Sequence, residues 1–161
     1  MFTLEHEIIR LLREKGLSLG ITESATGGLI SHLITNVPGC SDVYKGSVTA
    51  YANVTKISVL SVNTETLAKY GAVSSQVAEE MALGGRLLLA VDICISDTGI
   101  AGPGGATSEK PVGLFYIGLA HGLTSYSRQH IFHGNREENK YRAARTSLEW
   151  LKSHLLDLNQ M

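Results

Sequence analysis

The chain has 161 residues, a length that fits one domain (residues 1–161) able to bury a core without disulfides or a structural metal. Its 14 Lys and Arg nearly balance 15 Asp and Glu, which excludes a global field drawing it to nucleic acid or an anionic membrane, so any anion must be held locally. Two cysteines, Cys40 and Cys94, are too few for a disulfide scaffold and lack metal-site spacing, so both are expected to be buried, inert thiols.

The first segment, "MFTLEHEIIRLLREKG", interleaves charges with apolar residues, unlike a signal peptide, and no run approaches the roughly 20 apolar residues of a membrane span. A soluble, cytoplasmic protein without a membrane partner is expected. Leu4, Ile8, Leu11 and Leu12 recur at helical spacing, and Gly16 stops that helix. "LSLGIT" (17–22) reads as a buried strand, "LISHLITNV" (29–37) as a helix ended by Pro38-Gly39, and "VYKGSVTAY" (43–51) as an alternating strand. Two short helical stretches follow. A long helix then opens at Ser74 or Ser75 and places Val77, Met81, Gly84 and Leu88 on one face.

"VDICISDTGIAG" (91–102) is an apolar strand ending in glycines. "PVGLFYIGLA" (111–120) and "LTSYSRQHIFH" (123–133), separated by His121-Gly122, have hairpin spacing, so the sheet is predicted to be mixed. The last helix carries Tyr141, Ala144, Leu148, Leu151, Leu155 and Leu158, a stripe too short for a coiled-coil seam and suited to a core face. Strands alternating with helices, and too apolar to be half solvated, predict an α/β fold: a three-layer α/β/α sandwich with a mixed, mostly parallel central sheet. Ligands of such sheets sit at the carboxyl ends of the strands.

Three polar clusters, the first and last bearing glycines, follow predicted strands: "TESATGG", "YANVTK" and "TGIAGPGGATSEKP". Parallel strands would open all three on one edge. The last packs Gly99, Gly102, Gly104 and Gly105 around Pro103, equally readable as a turn-rich loop or as an anion cradle of backbone N–H groups. It is neither a Walker loop nor a dinucleotide fingerprint, since the required Lys and the following helix are missing. Ser24 can cap the next helix or carry chemistry; Glu23 can be a solvated or ion-paired carboxylate, and Lys56 a surface charge. His130 and His133 sit three apart on a predicted strand and face opposite ways. His6, His32, His121 and His154 form no ligand motif, so neither a metal nor a cofactor is expected.

In order and spacing, "TESATGGLIS", "VPGCSDVYKGSVTAYANVTK", "GAVSSQVAEEMA" and "TGIAGPGGATSEKPVGLFYIGLA" resemble the C-terminal domain family of the competence/damage-inducible protein CinA, over roughly residues 5 to 158. The nucleotide-processing domain that precedes it in fused CinA proteins has no counterpart among these blocks. The resemblance implies metal-free hydrolysis of the nicotinamide mononucleotide carboxamide to nicotinate mononucleotide and ammonia. It implies a serine and lysine pair at Ser24 and Lys56, with Thr98 beside the pair and Ser41 matching a further family serine. A small-molecule nucleotide substrate and a homo-oligomer are implied as partners, and direct nucleic-acid binding is not. The alternative within the same fold is a non-catalytic pyridine-nucleotide-binding or regulatory module.

The chemistry explains the pairing, because a serine hydroxyl becomes nucleophilic when a neighbouring neutral amine takes its proton. Lysine's ordinary pKa of ~10.4 keeps it charged near neutrality, so the site must desolvate it or supply another cation. Backbone N–H groups at Gly27-Gly28 and around Ser41 are candidate oxyanion donors. Glu23, Tyr51 and Asn53 fall in the matched blocks and are expected to line the substrate site. Gly99, Gly102 and Arg136 are candidates for the phosphate. The sequence departs from the family where Asn135 follows Gly134, and where Lys140 replaces a second arginine and offers a point charge instead of a fork. Ala25 also replaces a frequent cysteine, and "YANVTK" replaces "YSNEAK".

Overall fold

The computed structural model describes residues 2–158. Thr3 caps α1 (Leu4–Lys15) through its hydroxyl, and Gly16 closes the helix in a left-handed conformation, as the sequence predicts. β1 (Leu19–Glu23) leads through a glycine turn into α2 (Leu29–Thr35), and a short 3-10 turn (Cys40–Asp42) precedes β2 (Tyr44–Thr49). The two short helices are α3 (Asn53–Leu60) and α4 (Thr64–Tyr70). The long helix is α5 (Ser75–Leu89), whose cap is the Ser74 hydroxyl. β3 (Ile93–Gly99), the hairpin of β4 (Leu114–His121) and β5 (Thr124–Ile131), and α6 (Arg136–Asp157) complete the chain. No helix among the described residues is long and apolar enough to cross a membrane.

The sheet runs β2-β1-β3-β4-β5. β1 pairs in parallel with β2 and β3, β4 is antiparallel to β3, and β5, antiparallel to β4, points the way β3 does. The mixed, mostly parallel sandwich is therefore present. One face is covered by α1, α2 and α6, which bury Ile21, Ile93, Ile95, Ile117 and Leu119 against Ile8, Leu12, Ile34, Leu148 and Leu151. Side chains alternate along a strand, so Glu23 and Asp97 face the same layer as Ile21 and Ile95. Thr22 pairs with Ser96, which sets the two carboxyls side by side at the end of the apolar core.

The opposite face of the sheet is small and polar, and α5 packs closely on it. The Thr22 hydroxyl donates to the Met81 carbonyl and the Ser96 hydroxyl to the Ala78 carbonyl, which satisfies both buried groups. Gly85 makes the approach possible: a Cβ there would lie 2.2 Å from Thr22 Cγ2 and 2.8 Å from Cys94 Sγ. Both cysteines are buried and free, and burial pushes the Cys94 thiol up to about 12.

Four sequence expectations need correction. Only β1, β3 and β4 are enclosed; β2 and β5 are edge strands whose residues are half-buried or exposed, because each has a neighbour on one side only. Leu88 is exposed although Val77 and Met81 are buried, since the sheet contact at that end of α5 is taken by Gly85. On α6 the buried face begins at Asn139 and runs through Ala143, Ser147 and Leu151, leaving Tyr141 exposed. His133 also lies past the end of β5, so the strand alternation invoked for it does not apply.

Candidate active site

The carboxyl ends of β1, β2 and β3, the β3–β4 loop and the β5–α6 turn all open on one edge of the sheet. They enclose a cavity of about 320 Å³. Ser24 and Ala25 enter it from β1, Tyr51, Asn53 and Lys56 from beyond β2, Thr98 to Gly102 from β3, and Arg136 from α6.

After β1 the chain turns through Gly27 and Gly28 at φ values of 64° and 103°, a backbone that residues with a Cβ rarely adopt. Gly28 is the cap residue of α2 and has no side chain with which to hold the helix amides. Glu23 does this work, accepting from Ile30 N at 2.8 Å and from Ser31 N at 3.1 Å. It also accepts from the Ser31 hydroxyl at 2.6 Å and the Thr26 hydroxyl at 2.6 Å. Glu23 is fully buried and does not line the cavity. Ser24 is thereby free of capping.

Lys56, on α3, is 1% exposed and reaches across to β1. Its Nζ stands 2.9 Å from Ser24 Oγ, 3.0 Å from the Ala50 carbonyl and 3.2 Å from the Tyr51 carbonyl. Three partners match the three hydrogens of an ammonium, or equally the two hydrogens and one lone pair of a neutral amine. Burial lowers the Lys56 pKa below its ordinary value, and this outweighs the opposing pull of an ionised Asp97.

Asp97 is fully buried on β3 and fixes the backbone at Ser24, accepting from Ser24 N and Thr26 N at 3.1 Å each. Its Oδ1 is also 2.5 Å from Thr26 Oγ1. Burial, augmented by the charge of Glu23, pushes the Asp97 carboxyl up to about 6, against hydrogen bonds from Thr26 and Ser24 that pull it down.

The other sequence-predicted residues divide by place. Thr98 is in the wall, but its hydroxyl donates to the Ala72 carbonyl at 2.8 Å and ties β3 to the α4–α5 connection. Arg136 donates to the Gly102 carbonyl at 2.8 Å and to the Tyr51 hydroxyl at 3.0 Å, closing the mouth from α6. Gly99, Gly102 and Asn53 line the cavity, whereas Gly27 and Gly28 lie outside its lining, with the Lys140 ammonium close to Gly27. Ser41 is not brought to this cavity: it is exposed in the 3-10 turn before β2, and β1 and β2 are parallel, so it sits at the opposite edge of the sheet from Ser24.

Sequence reasoning missed Thr26, Asp97 and Asn139. Asn139, fully buried, donates to the Ala101 and Gly134 carbonyls and accepts from Gly134 N, pinning the glycine loop to the start of α6. The available signals were an Asp inside the apolar run "ICISDTGIAG" and an Asn on the buried face of the last helix.

Comparisons with known proteins place the chain by sequence and by fold. The family described as the CinA C-terminal domain matches residues 1–155. A CinA-like protein of Thermotoga neapolitana is 46% identical over 152 residues, 94% of this chain and 37% of that protein. A CinA-like protein of Dictyoglomus thermophilum is 47% identical over 157 residues, 97% of this chain and 38% of that protein. The chain thus spans little more than a third of the length of these relatives. Among solved structures, the competence damage-inducible protein A of Klebsiella pneumoniae superposes with a TM-score of 0.92 at 30% identity, covering 95% of both chains. The competence/damage inducible protein CihA of Agrobacterium tumefaciens gives 0.90 at 36% identity over 93% of this chain and 92% of its own. By sequence and by fold, the chain belongs to the CinA C-terminal domain family.

Proposed function

We propose that the chain is an amidohydrolase that converts nicotinamide mononucleotide to nicotinate mononucleotide and ammonia through Ser24 and Lys56. The observation that carries this reading is the 2.9 Å approach of Lys56 Nζ to Ser24 Oγ, with both residues buried in the cavity wall. The Ala50 and Tyr51 carbonyls accept the two hydrogens of a neutral amine, which turns its lone pair toward the serine hydroxyl.

Lys56 takes the Ser24 proton as Oγ attacks the carboxamide carbon, and the carbonyl π electrons move to oxygen. The Ser24 and Thr26 amides are already committed to Asp97, so the oxyanion is met by other amides of the cavity, at Ala25 and in the glycine loop. Lysine then returns the proton to the nitrogen, the C–N bond breaks and ammonia leaves an ester on Ser24. Water, deprotonated by Lys56, cleaves that ester and restores the serine. Arg136, with guanidinium hydrogens beyond those given to Gly102 and Tyr51, offers the phosphate a charged fork at the mouth. Purified protein given the nucleotide should release ammonia, and Ser24→Ala and Lys56→Ala should each remove the activity while the fold is kept. Undiminished release by both variants, or none by the folded parent, would overturn the reading.

A further inference from the structure

Thr26 Oγ1 lies 2.6 Å from Glu23 Oε1 and 2.5 Å from Asp97 Oδ1, at the buried ends of β1 and β3. Both separations are hydrogen bonds, and a hydroxyl has one hydrogen. With both carboxyls ionised, one of the two short contacts would set oxygen lone pairs against each other with no proton between them. The second hydrogen must come from a carboxylic acid.

The surroundings decide which carboxyl holds it. Glu23 accepts three further hydrogen bonds, from Ile30 N, Ser31 N and the Ser31 hydroxyl, and sits at the head of α2, an environment that suits the anion. Asp97 accepts two, from Ser24 N and Thr26 N. We propose that Glu23, Thr26 and Asp97 share one proton resident on Asp97, in the chain Asp97 O–H to Thr26 O–H to Glu23 carboxylate, and that this proton keeps Lys56 a neutral base.

The second part rests on the amidase reading; the first does not. The ionisable group felt at Lys56 is Asp97, and the one felt at Asp97 is Glu23; Arg136 closes the mouth, bound to Gly102 and Tyr51. Between Asp97 and Lys56 one proton has two homes. On Lys56 it creates two buried charges; on Asp97 it leaves both groups neutral and removes the pull that holds a proton on the amine. A site this dry favours the neutral pair, and the raised affinity of Asp97 for its proton points the same way. Asp97 is therefore a positioning residue that fixes the Ser24 amide and sets the state of Lys56.

Infrared spectroscopy of the substrate-free protein tests this without any turnover. The protein labelled with 13C-aspartate should show, at pH 5, below the Asp97 pKa of about 6, a protonated carboxylic acid C=O stretch displaced by the label, and Asp97→Asn should remove it. No protonated aspartate band in the labelled parent overturns the proposal even if Asp97→Asn fails to fold, and a carboxylic acid band that the aspartate label does not displace overturns the assignment to Asp97. In the amidase assay the acid limb of Asp97→Asn should stay where the parent's lies. A fall of about a pH unit would show that an ionised Asp97 had been raising Lys56, and would overturn the second part with the amidase reading intact.

Discussion

Lys56 Nζ stands 2.9 Å from Ser24 Oγ, although the two residues lie on different elements and their separation in sequence carries no pairing signal. The contact exists because β1 and β2 are parallel, so the turn after one and the helix after the other rise from the same edge of the sheet. Burial then lowers the pKa of the amine below that of a surface lysine.

The rate should follow that base. Lys56 must be deprotonated to act, and burial lowers its pKa, so kcat/KM should rise with pH and level off well below the 10.5 of an ordinary lysine. Lys56→Met should cost on the order of 10²–10⁴-fold and lose that limb altogether, which a pH–rate profile would show.

Glu23 is expected to act on stability before binding. Glu23→Ala leaves the Ile30 and Ser31 amides without their acceptor at the head of α2, and should lower stability by about 1–3 kcal/mol in denaturant unfolding. A substrate contact would instead raise KM and leave stability unchanged.

Asp97 predicts a particular pH dependence of stability. Its folded pKa is raised from 3.8 to about 6, so between those values the folded protein binds more protons than the unfolded chain, and this contribution falls as pH rises through the window. Asp97→Asn removes that slope. Relative to the parent, the variant should gain roughly 2–3 kcal/mol between acid and neutral pH, read from unfolding curves across the window.

Much of this was legible in the sequence, for identifiable reasons. Helix stops at Gly16, the Ser74 cap and the His121-Gly122 hairpin are local signals, and apolar β1 and β3 announced an enclosed sheet. The convergence of three loops followed from parallel strands. Capping of α2 was open to Ser24 by position and went to Glu23, because the two glycines push the helix start to Leu29, out of reach of the serine. Asp97 and Asn139 were hidden because a buried polar residue is recognisable only by its partners, which are distant in sequence. Ser41 lay in a matched block, yet strand direction places it at the far edge.

Gly85 tests the packing of α5. A Cβ would meet Thr22 Cγ2 at 2.2 Å and Cys94 Sγ at 2.8 Å, so Gly85→Ala should destabilise by about 1–3 kcal/mol despite alanine's better helix propensity. Thermal unfolding would register the loss.

Arg136 should serve binding. Arg136→Ala removes a charged fork at the mouth and should raise KM for the phosphorylated substrate roughly 10–100-fold, with a smaller change in kcat. Arg136→Lys should recover only part of the loss, since an ammonium cannot reproduce the fork.

The central claim is that Lys56 is a neutral amine facing Ser24. NMR titration of the protein labelled at lysine Cε, with Lys56 assigned by its absence in Lys56→Arg, measures this directly. The account predicts a lysine titrating well below 10.5, the ordinary value; a Lys56 that titrates at or above it would contradict the account.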